Sequence, residues 1–154
     1  MTKYSGSNPT EVEEFLNSWK DGVIEIGRAY QEGHDYRAKA RAFIETHYAF
    51  EVGEVLFKPT FTHDVVFRNS PEDALSYFVS GDIAEDSGFA LKPWEEIKES
   101  EVNLMLEDNL CAAMGVLNLK LRNSETTTRI AFTFILVKAN GQLRIKIHHS
   151  SEIK

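Results

Sequence analysis

Two adjacent pairs in this sequence could do acid–base chemistry, His148-His149 near the end and His63-Asp64 in the middle. An imidazole titrates near neutrality, so modest changes of surroundings make it a general acid, a general base or a fixed donor. Strict alternation along a terminal strand places Leu143, Ile145, Ile147 and His149 on one face, and Arg144, Lys146, His148 and Ser150 on the other. This reading turns His149 inward among aliphatic side chains, as a candidate catalytic acid or base, and His148 outward toward an oligomer contact. The alternative for His149 is a core histidine bonded to a buried hydroxyl or backbone group. Because neighbours on a strand face opposite ways, the two imidazoles cannot chelate one metal.

Asp64 is a second candidate, as a base or as the partner that orients His63; the two lie between Phe61 and the apolar run Val65-Val66-Phe67. A turn or strand end is the competing reading. Tyr48, a candidate catalytic hydroxyl, and Tyr77 and Trp94 can line a pocket with polar tips inward or serve as core aromatics. Phe132 and Phe134 share a face of a later strand with Ile130 and Leu136, and are assigned with His63, Tyr77 and Trp94 to ligand contact.

Other chemistries lack their residues. No glycine-rich phosphate loop, no Gly-x-Ser-x-Gly elbow and no His-Glu-x-x-His spacing occurs. A lone cysteine, Cys111, excludes an intramolecular disulfide and a multi-cysteine zinc site, and suits a reducing compartment. No metal or cofactor is expected, and Asp82, Glu85 and Asp86 read as a solvated loop. A formal net charge of −7 disfavours nucleic acid and anionic membranes as partners. The N-terminus has no apolar segment of the signal-peptide kind and no run of 18 apolar residues occurs, so the expected location is cytoplasmic.

The elements that must position these groups follow from periodicity. Asn8-Pro9-Thr10-Glu11 reads as a capped helix start, and Val12, Phe15, Leu16, Trp19, Val23, Ile26 and Tyr30 form one apolar stripe before Gly33. Gly22 and Gly27 within it allow a bend or close packing. A second helix begins near Asp35, with Tyr36, Ala40, Phe43, Ile44 and His47 on one face, and ends before Gly53. Residues 54–58 form a short strand stopped by Pro59, and Ser70-Pro71-Glu72-Asp73 opens a third helix through Tyr77 and Phe78. After an irregular loop over 82–93 come strands at 96–106, 110–122, 126–138 and 143–150, joined by turn-forming residues such as Asn140-Gly141. Helices first and strands afterwards predict an α+β domain spanning 1–154, with residues 1–7 flexible. Apolar residues on both faces of 126–138 predict a homodimer through the outer sheet face.

This order of elements, with the ending Ile147-His148-His149-Ser150-Ser151, resembles the nuclear transport factor 2-like superfamily, including its SnoaL-like and ketosteroid isomerase-like members. The terminal His-His-Ser-Ser is similar to small bacterial proteins related to the calcium/calmodulin-dependent kinase II association domain. The segments Gly53-Glu54-Val55-Leu56-Phe57-Lys58-Pro59-Thr60 and Gly88-Phe89-Ala90-Leu91-Lys92-Pro93-Trp94 resemble an uncharacterised bacterial subgroup, some of whose members carry the label phosphoribosyl-AMP cyclohydrolase. That activity is not carried over, because it relies on several cysteines for zinc.

The resemblance implies a cone-shaped, cystatin-like fold: helices packed on a strongly curved antiparallel sheet, with a pocket at its open end for a small, largely apolar or carbonyl-containing ligand. The leading expectation is ligand binding with cofactor-independent proton-transfer chemistry of the isomerase, cyclase or hydratase type. The alternative is a non-catalytic binding or homo-oligomerisation module related to kinase association domains.

Overall fold

The computed structural model describes residues 8–154; the segment 1–7, expected above to be flexible, lies outside the described residues. Helix α1 (Pro9–Gln31) starts where the Asn8 side chain accepts from the Glu11 N–H, and its stripe Val12, Phe15, Leu16, Trp19, Val23 and Ile26 is buried. Tyr30, predicted on that stripe, is 47% exposed and instead meets Tyr36 edge-on beyond the core. Gly22 and Gly27 serve close packing: a Cβ on Gly22 would lie 2.4 Å from the Phe43 ring, and one on Gly27 would lie 2.7 Å from the Ala90 carbonyl.

Helix α2 (Tyr36–His47) follows, capped by Asp35. It stops when Tyr48 turns extended and bridges Ile145. Strand β1 (Leu56–Lys58), helix α3 (Pro71–Val79, capped by Ser70), and the long strands β2 (Trp94–Glu107), β3 (Leu110–Leu121), β4 (Thr127–Ala139) and β5 (Gln142–Glu152) complete the order.

The five strands form one sheet in the order β1-β5-β4-β3-β2, antiparallel except for the β1–β5 pair. On β4, Ile130, Phe132, Phe134 and Leu136 face the helices and join the common core, as alternation predicts.

Strand β5 corrects the alternation argument. Leu136 pairs with Ile145 while Ile135 pairs with Ile147, so Lys146 is an extra residue and the strand bulges. Beyond the bulge the phase is inverted. Leu143 and Ile145 point inward as expected, but His148 and Ser150 are the buried residues that follow, and His149 is exposed on the outer face.

The loop over 82–93 holds a single 3₁₀ turn, Phe89–Leu91. Of its acids Asp82 is exposed, as expected, but Glu85 and Asp86 are seated against partners, contrary to the expectation. Glu85 accepts from the backbone N–H groups of His63, Asp64 and Val65, and the Asp86 carboxylate takes a two-pronged pair from Arg68 and a bond from the Ser76 hydroxyl. Arg68 is fully buried, so this pair is a buried structural pin that ties the loop to α3. No helix among the described residues is long and apolar enough to cross a membrane.

Candidate functional site

The inward end of β5 meets α1, α2, β1 and α3 around His148. Its imidazole is stacked against Phe57 with ring centres 4.6 Å apart and meets the edge of Phe134 at 4.6 Å. The ring is also part of an unbroken hydrogen-bonded chain. The indole N–H of Trp19 donates to Tyr48 Oη at 3.2 Å, Tyr48 Oη lies 3.0 Å from His148 Nδ1, and His148 Nε2 lies 2.6 Å from Ser150 Oγ.

Donor accounting fixes the direction of this chain. Tyr48 is wholly buried and already accepts from an indole that can only donate, so its own proton goes to His148 Nδ1. The imidazole is then the Nε2–H tautomer and donates to Ser150 Oγ, which leaves the serine proton to donate into the space beyond. Burial pushes the His148 pKa down to about 3, with the electrostatic influence of neighbouring His149 and of the Lys58 ammonium adding to it, so the ring stays neutral. Burial likewise raises the Tyr48 phenol well above its ordinary range.

The space beyond Ser150 is a cavity of about 20 Å³, enough for one water-sized guest. Aromatic and aliphatic side chains supply most of its wall, among them Trp19, Phe57, Phe78 and Phe89, with Thr60, Tyr77, His148 and Ser150 as polar members. Tyr77 Oη accepts from the Phe61 N–H at 3.2 Å, while burial raises its pKa. Its ring stacks on Phe89 and separates this cavity from a more polar one of about 50 Å³ bounded by Phe61, Glu85, Asp86 and Lys92. The cavity therefore offers hydroxyl donors within apolar walls, suited to a very small molecule with one or two oxygens to hold.

Of the residues nominated from sequence, the structure brings Tyr48, Tyr77 and Phe134 to this site: Tyr77 in the wall, Tyr48 and Phe134 behind His148. His149 lies on the opposite face of the sheet. His63 and Asp64 sit in the loop around Glu85 with side chains 77% exposed, outside the cavity wall. Their ligand-type atoms and those of Glu85 lie within 4.8 Å of one another, but the Glu85 oxygens already accept three N–H bonds. Those bonds hold its pKa down to about 2. Trp94 is buried and donates to the Phe89 carbonyl at 2.9 Å, fixing the 3₁₀ turn from behind. Phe132 is core, packed on Phe134.

Sequence reasoning missed His148, Ser150, Thr60 and the functional setting of Trp19. The signal for the first two was the His-His-Ser-Ser segment itself; only the phase was wrong. His47 shows the contrasting case of a buried imidazole whose needs are met locally, by the Phe43 carbonyl at Nδ1 and the Ser18 hydroxyl at Nε2.

A curved antiparallel sheet wrapping three helices around a blind cavity defines the nuclear transport factor 2-like, cystatin-like class, and solved structures of that class superpose on the chain. A putative calcium/calmodulin-dependent kinase II association domain from Xanthomonas campestris matches with a TM-score of 0.67 at 19% identity, over 99% of this chain and 98% of the other. A structure of the iota-carbonic anhydrase from a cyanobacterium, complexed with bicarbonate, matches with a TM-score of 0.88 at 29% identity, over 97% and 94% of the two chains. The metal-independent carbonic anhydrase family model matches residues 10–152, and the chain belongs to that family. A metal-independent carbonic anhydrase from Nostoc sp. (strain PCC 7120) is 33% identical over 147 residues, spanning 92% of this chain and 72% of the relative. These names place the chain in a particular family that the sequence reading did not reach; they support the expected catalytic ligand binding, and they do not support the isomerase or cyclase chemistry named there.

Proposed function

We propose that the chain is a carbonic anhydrase, interconverting carbon dioxide and water with bicarbonate and a proton in the cavity beside Ser150. The observation that carries this reading is the one-directional chain from Trp19 through Tyr48 and His148 to Ser150, which ends in a hydroxyl proton offered to a small, largely apolar cavity. Family membership and the bicarbonate complex of the cyanobacterial relative support it.

In the hydration direction carbon dioxide lies against the apolar wall and reaches to the cavity mouth, where a water oxygen adds to its carbon. One C=O electron pair moves onto an oxygen, which becomes the anionic oxygen of bicarbonate and accepts from Ser150. Donors already oriented toward developing charge need no reorganisation during the step. The attacking water loses one proton. Neutral His148 with its depressed pKa does not take it, and a relay through the ring would end at an indole N–H that cannot accept. The chain of groups thus serves as a fixed donor, and the proton leaves to solvent water or buffer at the cavity mouth. Tyr77, its pKa raised by burial, remains protonated beside Thr60 as the second hydroxyl-bearing wall.

The test is stopped-flow carbon dioxide hydration on purified protein after exhaustive dialysis against a chelator. Turnover above the buffer rate, unchanged by chelation and lowered by Ser150→Ala, supports the reading. No turnover in the dialysed and undialysed protein alike would overturn it.

A further inference from the structure

The ladder between β1 and β5 stops at the Lys58–His149 pair, because the next residue, Pro59, has no N–H to contribute. Just past that point, Lys58 Nζ donates to the Ser150 carbonyl at 3.0 Å and to the Thr60 carbonyl at 3.3 Å. Among the described residues no carboxylate lies within ion-pair reach of this ammonium group. Two main-chain carbonyls hold it, and both belong to residues that line the cavity. One arrives from the end of β5 and the other from the loop after β1, so without Lys58 no hydrogen bond joins Thr60 directly to Ser150. The same two residues line the cavity, Ser150 with the hydroxyl at the end of the Trp19–Tyr48–His148 chain and Thr60 together with Tyr77.

We propose that Lys58 is a positioning residue: it clamps the Ser150 and Thr60 segments together and thereby sets the distance between the two hydroxyl groups that hold one small planar oxyanion. The inference rests on the bicarbonate reading of the cavity. It adds that affinity for the anion depends on a lysine which acts through main-chain carbonyls from the sheet edge. A lysine suits this task because its three donors are compact and rotatable, and can serve two carbonyls from separate segments. An error of an ångström in such a spacing is enough to lower activity by about a hundredfold.

The experiment measures binding of bicarbonate and of nitrate, a planar anion that does not titrate in the working range, from the backbone amide shifts of residues 60 and 150. It is paired with carbon dioxide hydration in wild type, Lys58→Met, Lys58→Arg, Ser150→Ala and the Lys58→Met/Ser150→Ala double variant. The clamp predicts that Lys58→Met weakens both anions about tenfold, that Lys58→Arg restores most of the affinity, and that Lys58→Met has little further effect once Ser150 is alanine. If Lys58→Met does not fold, Lys58→Gln, which retains one amide donor group, is expected to show a smaller loss of the same kind.

Wild-type affinity in Lys58→Met alongside a damaged Ser150→Ala would overturn the clamp and leave the reading of the site intact. An equal loss from Lys58→Met in both backgrounds would also overturn it, because the lysine would then act on the fold and not through Ser150. Ser150→Ala with wild-type binding and turnover would overturn the site itself and the clamp with it.

Discussion

At the scale of single residues, the site depends on a serine proton whose direction is set three groups away. Removing Ser150 Oγ by alanine takes away the one donor that the chain delivers, and the expected outcome is a fall of about a hundredfold in carbon dioxide hydration with little change in thermal stability. Stopped-flow rates and a melting curve on the same preparation check both halves. Tyr48→Phe tests the direction of the chain more finely. It leaves the indole N–H of Trp19 without its acceptor and frees His148 Nδ1 to become protonated, at a cost of about 1–3 kcal/mol in unfolding free energy for the buried donor left unpaired.

The same imidazole makes a signed prediction for pH. Folded His148 stays neutral down to about pH 3, whereas in the unfolded chain it takes up a proton near its ordinary value of 6.5. Its contribution to stability is therefore complete above pH 6.5 and is lost as the pH falls below it. At pH 4.5 the loss from this residue is about 3 kcal/mol. His47, also depressed chiefly by burial, acts in the same direction. Urea unfolding at pH 7 and pH 4.5 is expected to show a smaller acid penalty in His148→Gln than in wild type; identical penalties would show that the ring is not held neutral.

At the scale of elements, the cavity exists because a helix, a short edge strand and a bulged strand end are held against one another. The loop after α3 is pinned by the Arg68–Asp86 pair, and Asp86→Ala would remove the two-pronged bond to a fully buried guanidinium and leave it only the Glu85 carboxylate at 3.6 Å. Its expected cost is about 3–5 kcal/mol, read from the shift in the urea midpoint.

Much of this scale was legible in the residues. Asn8 and Ser70 marked helix starts because their side chains accept from N–H groups three residues on, a local act that needs no tertiary partner. The faces of β4 followed from alternation for the same reason. The bulge at Lys146 was not legible, since nothing in Arg144-Ile145-Lys146-Ile147 departs from regular alternation and the extra residue is defined only by pairing with β4. That single step exchanged His149 for His148. The pins made by Glu85 and Asp86 were equally hidden, because Glu85 finds its N–H donors and Asp86 its arginine some twenty residues away along the chain. Acidic residues in a loop look alike whether solvated or seated.

At the scale of the whole molecule, the bulge also decides what the outer face presents. Cross-strand registry aligns Met105, Ala112, Ile135 and Ile147 in one row across β2, β3, β4 and β5, with Asn103, Met114, Thr133 and His149 in the row beside it. Met114 is 57% exposed and Met105 49%, so an apolar band crosses the face that points away from the cavity. A contiguous band on a sheet is the kind of surface that a second copy covers through a two-fold contact, and a dimer through this face would put His149 in the place that alternation had assigned to His148. The expected species is a homodimer whose melting temperature rises with protein concentration. Ile135→Glu, which places a charge in the middle of the band, is expected to yield monomer by analytical ultracentrifugation and to remove that concentration dependence. Turnover per chain should persist in the monomer, because the Trp19–Tyr48–His148–Ser150 chain and the cavity wall lie within one copy on the other face. A dimer that survives Ile135→Glu would place the contact elsewhere, and a monomer that loses turnover would tie the outer face to the inner one through the strands they share.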